Sequence, residues 1–336
     1  MMAVVKADAY GHGARLVVRT LAGQIQFFGV ACVSEARELA DLVEPWRLFV
    51  LSPLLEEERV ECVRGGWSTW IGSYEEALAF SNIAGTLKIQ ARLHLKIDTG
   101  MGRYGLDPMQ LETALHGLLL LPNVQWEGIA THLPSADEDQ DFTRAQLDHF
   151  EQLIARARVL GFAPRWVHAC NSAGWIALPF GNLVRTGLAL YGIHPMDRAG
   201  CVVHPPLTWK TRVTAVRTIP VGHGVSYGRT WIASAPTRVA TLAAGYADGY
   251  PRHLSNVGAN VLIRGRRCLV LGRITMDQMM VDIGDTPVVP GDEVVLIGKQ
   301  GAAEVTAREL ARLAGTIPWE IFTNLSHPRV EQIAIE

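Results

Sequence analysis

Several residues able to do chemistry stand just past short apolar runs: Lys6 and Tyr10 in "VVKADAYGHG", Arg103 in "KIDTGMGRYG", His132 after the run at 125–131, Asn171 and Ser172 in "HACNSAG", and Arg185 in "VRTGLALYG". A lysine at a strand end ordinarily lays its stem on apolar surface and keeps its charge in water. A lysine held in a partly desolvated pocket has a depressed pKa, and its neutral amine can add to an aldehyde as a Schiff base. "ACNSAG" and "VRTGLALYG" add hydroxyl, amide and glycine-flanked backbone N–H groups, a donor set suited to a phosphorylated cofactor.

These residues converge only if the runs before them are parallel strands of one barrel, whose active site lies at the C-terminal strand ends. The pattern fits, with eight β-branched or aromatic runs at 2–6, 27–31, 47–51, 67–71, 91–97, 125–131, 165–170 and 183–186, separated by crossover-length segments. The fold class expected is α/β, a (β/α)8 TIM-type barrel. Ser73 with Glu76, and Thr143 with Gln146, read as capping boxes, the second with a Phe142 to Leu147 staple. Leu147, Phe150, Leu153, Ile154, Ala157 and Leu160 recur at helical spacing, and Gly161 is a stop.

Around 193–206 the chain turns to "IHPMDRAGCVVHPP", which reads as a linker. Beyond it "TRVTAVRTI" and "ANVLIRGRRCLVLG", the latter with Gly265 at a hairpin turn, and one clear helix at 307–314 begun by Thr306 and Glu309 predict a mainly antiparallel β domain. The expected division is a barrel at 1–193, a linker at 194–206 and a β domain at 207–336.

The 336 residues are 49% hydrophobic and 19% charged, the profile of a folded protein. A net charge of −2 without long runs of like charge gives no pull toward nucleic acid or an anionic membrane. Five cysteines (Cys32, Cys62, Cys170, Cys201, Cys268) with no CxxC pair indicate neither a disulfide framework nor a metal cluster, and point to a reducing compartment. The longest apolar run, "LLLLP", is far too short to cross a bilayer, and no signal peptide opens the sequence, so a cytoplasmic location is expected.

The chain resembles the alanine racemase family, pyridoxal 5'-phosphate enzymes built from a barrel and a β domain. The resemblance covers essentially the whole chain and rests on "VVKADAYGHG", "KIDTGMGRYG", "HACNSAG", "VRTGLALYG", "VSYGRTW", "GYADGYPR" and "GRITMDQ" in family order. It implies that Lys6 forms the internal aldimine with the cofactor. Tyr10, Ser172 and the backbone at Gly187 and Leu188 would hold the phosphate, Asn171 would also contact the cofactor, Arg185 would face the pyridine nitrogen, and His132 would stand beside the ring. Arg103 would contact the phenolic oxygen and place the substrate carboxylate, steadied by Lys96, which is often carbamylated in the family.

Tyr227 in "VSYGRTW" would be the second catalytic base, entering with Met276 from the partner subunit of a homodimer, and Tyr246 and Arg252 would line the entrance. Taken singly, Tyr227 is an ordinary turn residue, Met276 ordinary core and His132 an ordinary buried histidine; the ordered set of motifs is what favours the functional reading. The implied reaction interconverts L- and D-alanine by a two-base mechanism, passing through the substrate's external aldimine and supplying D-alanine for peptidoglycan.

Three features depart from the family pattern. Only five residues precede Lys6, where a helix and strand are usual; Trp319 in "TIPWEIF" replaces a common tyrosine near the phosphate; and Thr275 falls at a variable position. The alternatives at this level are a broader-specificity racemase and a non-catalytic cofactor-binding protein.

Overall fold

The computed structural model describes residues 1–196, 202–325 and 329–334. The described chain divides into two compact units, one of Met1–Ala9 with Ala14–Val203 and one of Tyr10–Gly13 with His204–Glu336.

In the first unit eight strands form one parallel sheet: β1 (Met2–Val4), β2 (Phe27–Val30), β3 (Leu48–Val50), β4 (Ser68–Ile71), β5 (Ala91–Lys96), β6 (Val124–Ala130), β7 (Trp166–His168) and β8 (Arg185–Thr186). Neighbours run in chain order from β7 back to β1 and then to β8. The seam between β7 and β8 is tied by a bridge from His168 to Gly181 and by the Arg185 N–H donating to the Cys170 carbonyl at 3.0 Å. The sheet is thus a nearly closed (β/α)8 barrel, as the spacing of the apolar runs predicts. Strands β1 to β3 are apolar and buried throughout, as parallel strands covered on both faces must be, while β4 to β8 carry buried polar residues, among them Ser68, His94, Lys96, Glu127 and Arg185. One internal cluster packs Met2, Phe27, Phe49, Trp70, Ala130 and Leu183.

The helices are α1 (Lys6–Gly11), α2 (Ala14–Leu21), α3 (Val33–Leu39), α4 (Glu56–Arg64), α5 (Tyr74–Leu87), α6 (Leu111–Leu118), α7 (Gln140–Val159) and α8 (Ser172–Ala177). At α5 the Ser73 hydroxyl accepts from the Glu76 N–H as expected, while the Glu76 carboxylate accepts from Gly72 rather than Ser73. At α7 the expected Thr143–Gln146 box does not form. The helix starts a turn earlier on Asp139, whose carboxylate accepts from the Phe142 N–H at 2.9 Å. Thr143 and Gln146 are buried within it, Thr143 donating to the Asp139 carbonyl and Gln146 turned toward Thr99. The apolar face from Leu147 to Ala157 is buried, and Gly161 takes φ of 91° just past the end.

The second unit holds β9 (Trp209–Ile219), β10 (Gly224–Val225), β11 (Trp231–Ile232), β12 (Thr237–Leu242), β13 (Asn260–Ile263), β14 (Arg266–Leu271), β15 (Met279–Asp282), β16 (Glu293–Gln300) and β17 (Ala303–Val305). All its pairings are antiparallel. The order β13-β14-β15-β12-β9-β16 closes on itself where β16 pairs β13, so the sheet has no free edge along that ring. The β13–β14 hairpin turns at Arg264 and Gly265, with φ of 52° and 74°. Helix α9 (Ala307–Ala314) starts on Thr306 as expected. A second helix, α10 (Pro318–Thr323), opens on a proline and was not foreseen as an element.

Of the expected linker 194–206, residues 197–201, Cys201 among them, lie outside the described residues; the others form no helix or strand. The four described cysteines are free. Among the described residues no helix is long and apolar enough to cross a membrane.

Candidate active site

Strand β1 ends at Val4, and Lys6 opens a turn that no local sequence rule for L-residues would choose. Ala7, Asp8, Ala9 and Tyr10 all have φ between 50° and 53°, the left-handed region. Such a conformation costs roughly 1–2 kcal/mol per residue, so neighbours must hold it. The Glu35 carboxylate accepts from the Ala7 N–H at 2.8 Å and the Ala31 N–H at 2.6 Å, and Asp8 accepts from the Ala14 N–H at 2.6 Å. The turn directs Lys6 at the strand end. Burial, followed by the charge of Arg103, lowers its pKa, and Glu35 partly restores it. Its amine therefore gives up its proton more readily than an exposed lysine's.

The positive groups of the barrel end feel one another. Lys96, at the end of β5, is fully buried between the Trp70 and Tyr104 rings and donates to the Tyr104 carbonyl. Burial and then Arg103 bring its pKa down to about 8. Arg103 stands on a loop organised by Asp98, whose carboxylate accepts from the Gly100, Met101 and Arg103 N–H groups at 3.0, 2.7 and 3.1 Å. Burial alone would raise the Asp98 pKa, but these donors and Lys96 outweigh it and hold the pKa low.

Arg185 is the most constrained of these groups. Its Nη1 donates to His168 Nδ1 at 2.8 Å and to the His168 carbonyl at 3.2 Å. Its Nη2 faces the carbonyls of Thr131 and Ala169 and His132 Nδ1 at 2.9, 2.8 and 3.0 Å. The four Nη hydrogens are thus committed to the barrel wall, and Nε is the donor left over. Burial lowers its pKa to about 10, still charged at neutral pH. Burial and the surrounding cations push His132 well below its usual range. A neutral His132 that accepts at Nδ1 must carry its proton on Nε2.

At the next strand ends Asn171 caps α8, accepting from the Gly174 N–H at 2.9 Å and donating to the Leu133 carbonyl at 3.3 Å. The buried Ser172 hydroxyl accepts from the N–H groups of Gly187 at 3.2 Å and Ala189 at 3.3 Å. The backbone donors that converge on this hydroxyl are Gly187 and Ala189, on either side of Leu188, whose backbone is expected to hold the cofactor's phosphate. Sequence reading misses His168, Thr131, Glu35 and Asp98. Two of these, Asp98 and His168, lie inside quoted motifs, so their position was a signal.

The remaining expected residues belong to the second unit. Tyr227 lies in a tight turn between Ser226 and Gly228, with φ of 66° and 72°, and is 72% exposed. The loop 273–278 ties four of them to one rim. Ser226 donates to the Arg273 carbonyl, the Tyr246 and Ala247 N–H groups reach the carbonyls of Thr275 and Met276 at 3.1 and 2.9 Å, and Ser255 links Ile274 to Arg252. Tyr227, Tyr246, Arg252 and Met276 are all exposed there. Tyr10 is buried, which pushes its phenol up to about 12. The segment after it packs on α10, His12 meeting the Phe322 ring at 4.9 Å, and Trp319 is half-buried on that same helix.

The barrel donors fit pyridoxal phosphate on their own chemistry: a desolvated amine for the aldehyde, a hydroxyl that two backbone N–H groups hold with its own hydrogen left to donate to the phosphate, and one spare guanidinium donor for the ring nitrogen. Fold and donors together define the class of barrel-type pyridoxal-phosphate enzymes. Comparison with known proteins narrows the class. The family description "Alanine racemase, N-terminal domain" matches residues 1–195, and "Alanine racemase, C-terminal domain" matches 206–334. A protein named alanine racemase from Symbiobacterium thermophilum is 43% identical over 97% of this chain and 88% of its own. Another from Cutibacterium acnes is 40% identical over 96% and 88%. The structure titled alanine racemase from Streptomyces coelicolor superposes with a TM-score of 0.91 at 34% identity, covering 98% of this chain and 90% of that one. The Bacillus anthracis alanine racemase structure with bound L-Ala-P gives 0.86 at 31%, covering 97% and 86%. The chain belongs to the alanine racemase family, isomerases that depend on pyridoxal phosphate.

Proposed function

We propose that this protein interconverts L- and D-alanine at the barrel mouth of a homodimer, with Lys6 and the partner's Tyr227 as the two bases. The observation that carries the reading is the barrel end itself. A lysine with a lowered proton affinity shares it with Arg185, whose Nη donors are spent, and with the Ser172 hydroxyl flanked by two N–H groups.

Lys6 would hold the cofactor's aldehyde carbon, Tyr10, Ser172, Gly187 and Leu188 its phosphate, and Arg185 Nε its ring nitrogen, with Asn171 also in contact with the cofactor. When bound, the cofactor supplies an electron sink that makes the substrate's α-hydrogen removable. Inverting the centre needs one base on each face. Lys6 Nζ takes or returns the proton on the D side, and the partner's Tyr227 Oη on the L side, each worth on the order of 10²–10⁴-fold. His132, whose Nδ1 faces Arg185, would offer its Nε2–H to that phenol oxygen and, backed by the Arg185 charge, lower the cost of a phenolate there. Arg103 and the Met276 N–H receive the substrate carboxylate. Lys96 steadies Arg103 once its amine has added to carbon dioxide, forming an N–C bond, releasing a proton and leaving a carbamate anion. Tyr246 and Arg252 line the entrance. The domain division at 1–193 and 207–336 serves this sharing, and family membership supports a cytoplasmic role in D-alanine supply for the cell wall.

The test is racemisation of L- and D-alanine, beside serine and a basic amino acid, with solvent deuterium exchange at the α-carbon. Lys6→Ala is expected to lose both directions, and Tyr227→Phe to lose chiefly exchange from L-alanine. Unchanged L-to-D turnover in Tyr227→Phe would refute the assignment.

A further inference from the structure

Below Arg185 the barrel interior holds a buried polar chain that the reaction described above does not use. It starts at an irregularity in β6. Leu93 is opposite Trp126 and His94 is opposite Gly128, so Glu127 is the extra residue of a bulge. The bulge turns the Glu127 carboxylate inward, where it is buried, accepts from the Ser68 hydroxyl at 2.7 Å and pairs with Arg92. Its Oε2 lies 3.9 Å from His94 Nε2, a buried nitrogen with no hydrogen-bond partner. The next residue must be glycine, because a Cβ at Gly128 would fall 2.1 Å from His94 Nδ1. His94 Nδ1 meets His168 Nε2 at 2.8 Å, and His168 Nδ1 meets Arg185 Nη1 at 2.8 Å.

The hydrogens along this chain run one way. A guanidinium only donates, so His168 accepts at Nδ1. Both rings are fully buried and neutral, burial together with Arg185 taking His94 to about 3 and His168 well below its usual range. Neutral His168 then carries its proton on Nε2 and donates to His94 Nδ1. His94 in turn carries its proton on Nε2, which faces the Glu127 carboxylate. At 3.9 Å that contact is too long for a hydrogen bond, and the carboxylate acts through its charge in a poorly screened interior. The opposite tautomers would set an N–H of His168 against an N–H of Arg185.

We propose that Glu127 is a positioning residue for Arg185, holding His94 and His168 in their Nε2–H tautomers so that the guanidinium offers only Nε to the cofactor's ring nitrogen. This rests on the reading that Arg185 faces that nitrogen.

Histidine ¹⁵N NMR of the cofactor-loaded wild-type protein tests it, with signals assigned by His94→Gln and His168→Gln. Both rings are expected as neutral Nε2–H, and an Nδ1–H form at either one overturns the proposal. In Glu127→Gln a second tautomer population is expected at both rings. Racemisation kcat should fall roughly tenfold with KM for alanine little changed, and transamination per turnover should rise. Glu127→Asp should recover both signatures. Unchanged tautomers in folded Glu127→Gln, or equal losses in the Gln and Asp variants that merely track thermal stability, overturn it. A wild-type protein that exchanges no alanine α-proton would instead sink the racemase reading and leave the tautomer result standing.

Discussion

Lys96 shows how a single side chain carries a measurable signature of the site. Its amine is fully buried against two aromatic rings, and its pKa is brought down to about 8 by burial and then by Arg103. Because the unfolded chain binds that proton more tightly, the penalty of burying it is present in full below pH 8. It is relieved as pH rises toward the ordinary lysine value. In buffer free of carbon dioxide, the urea midpoint is therefore expected to rise between pH 8 and about 10, and Lys96→Met to flatten the rise. Saturating bicarbonate would hold the folded amine as a carbamate, which binds no proton, while the unfolded lysine still binds one, so in the wild-type protein the rise should extend below pH 8. A rise still confined above pH 8 in saturating bicarbonate would show that this amine stays free.

At the scale of elements, the left-handed turn after β1 depends on Glu35, a residue on α3 that supplies acceptors to the Ala7 and Ala31 N–H groups. Glu35→Ala removes the acceptor of two N–H groups that water can partly reach and is expected to cost about 0.5–1.5 kcal/mol per bond in denaturant titration. It should also lower the Lys6 pKa further, because the Glu35 charge is what opposes the lowering. Unchanged stability would mean the turn holds itself. The same turn marks where the sequence stops being legible. The eight apolar runs, the helix at 307–314 and the hairpin at Gly265 are all readable, because periodicity and turn chemistry act locally. Ala7-Asp8-Ala9-Tyr10 contains no glycine, so its positive φ comes from tertiary contacts alone. The bulge at Glu127, the closure of β16 on β13 and the loss of the Thr143 cap to Asp139 are also tertiary outcomes. Chemistry-bearing residues are legible where they follow a strand; of those that hold them, Asp98 and His168 are marked only by lying inside the same motifs, and Glu35 carries no pattern of its own.

At the scale of the whole molecule, the proposed bases belong to different units: Lys6 is in the unit that contains the barrel, and Tyr227 stands 72% exposed on a turn of the other, next to the strained Ser226. A large exposed aromatic beside Ser226, whose positive φ is strained for an L-residue, is an expensive arrangement for an isolated surface, and it fits a side chain presented to a second copy. If sites are shared, each needs Lys6 from one chain and the partner's Tyr227. Lys6→Ala and Tyr227→Phe homodimers would then each be nearly inactive. After dissociation and random reassociation in equal amounts, half the dimers are mixed. Every mixed dimer has one site with both bases intact and one site with neither, so activity should recover to roughly a quarter of the wild-type value. The gain should need subunit exchange and be absent when the two preparations are combined under conditions that keep dimers together. If each chain instead supplied its own Tyr227, no mixture could recover any activity, and a flat response after verified exchange would exclude the shared site.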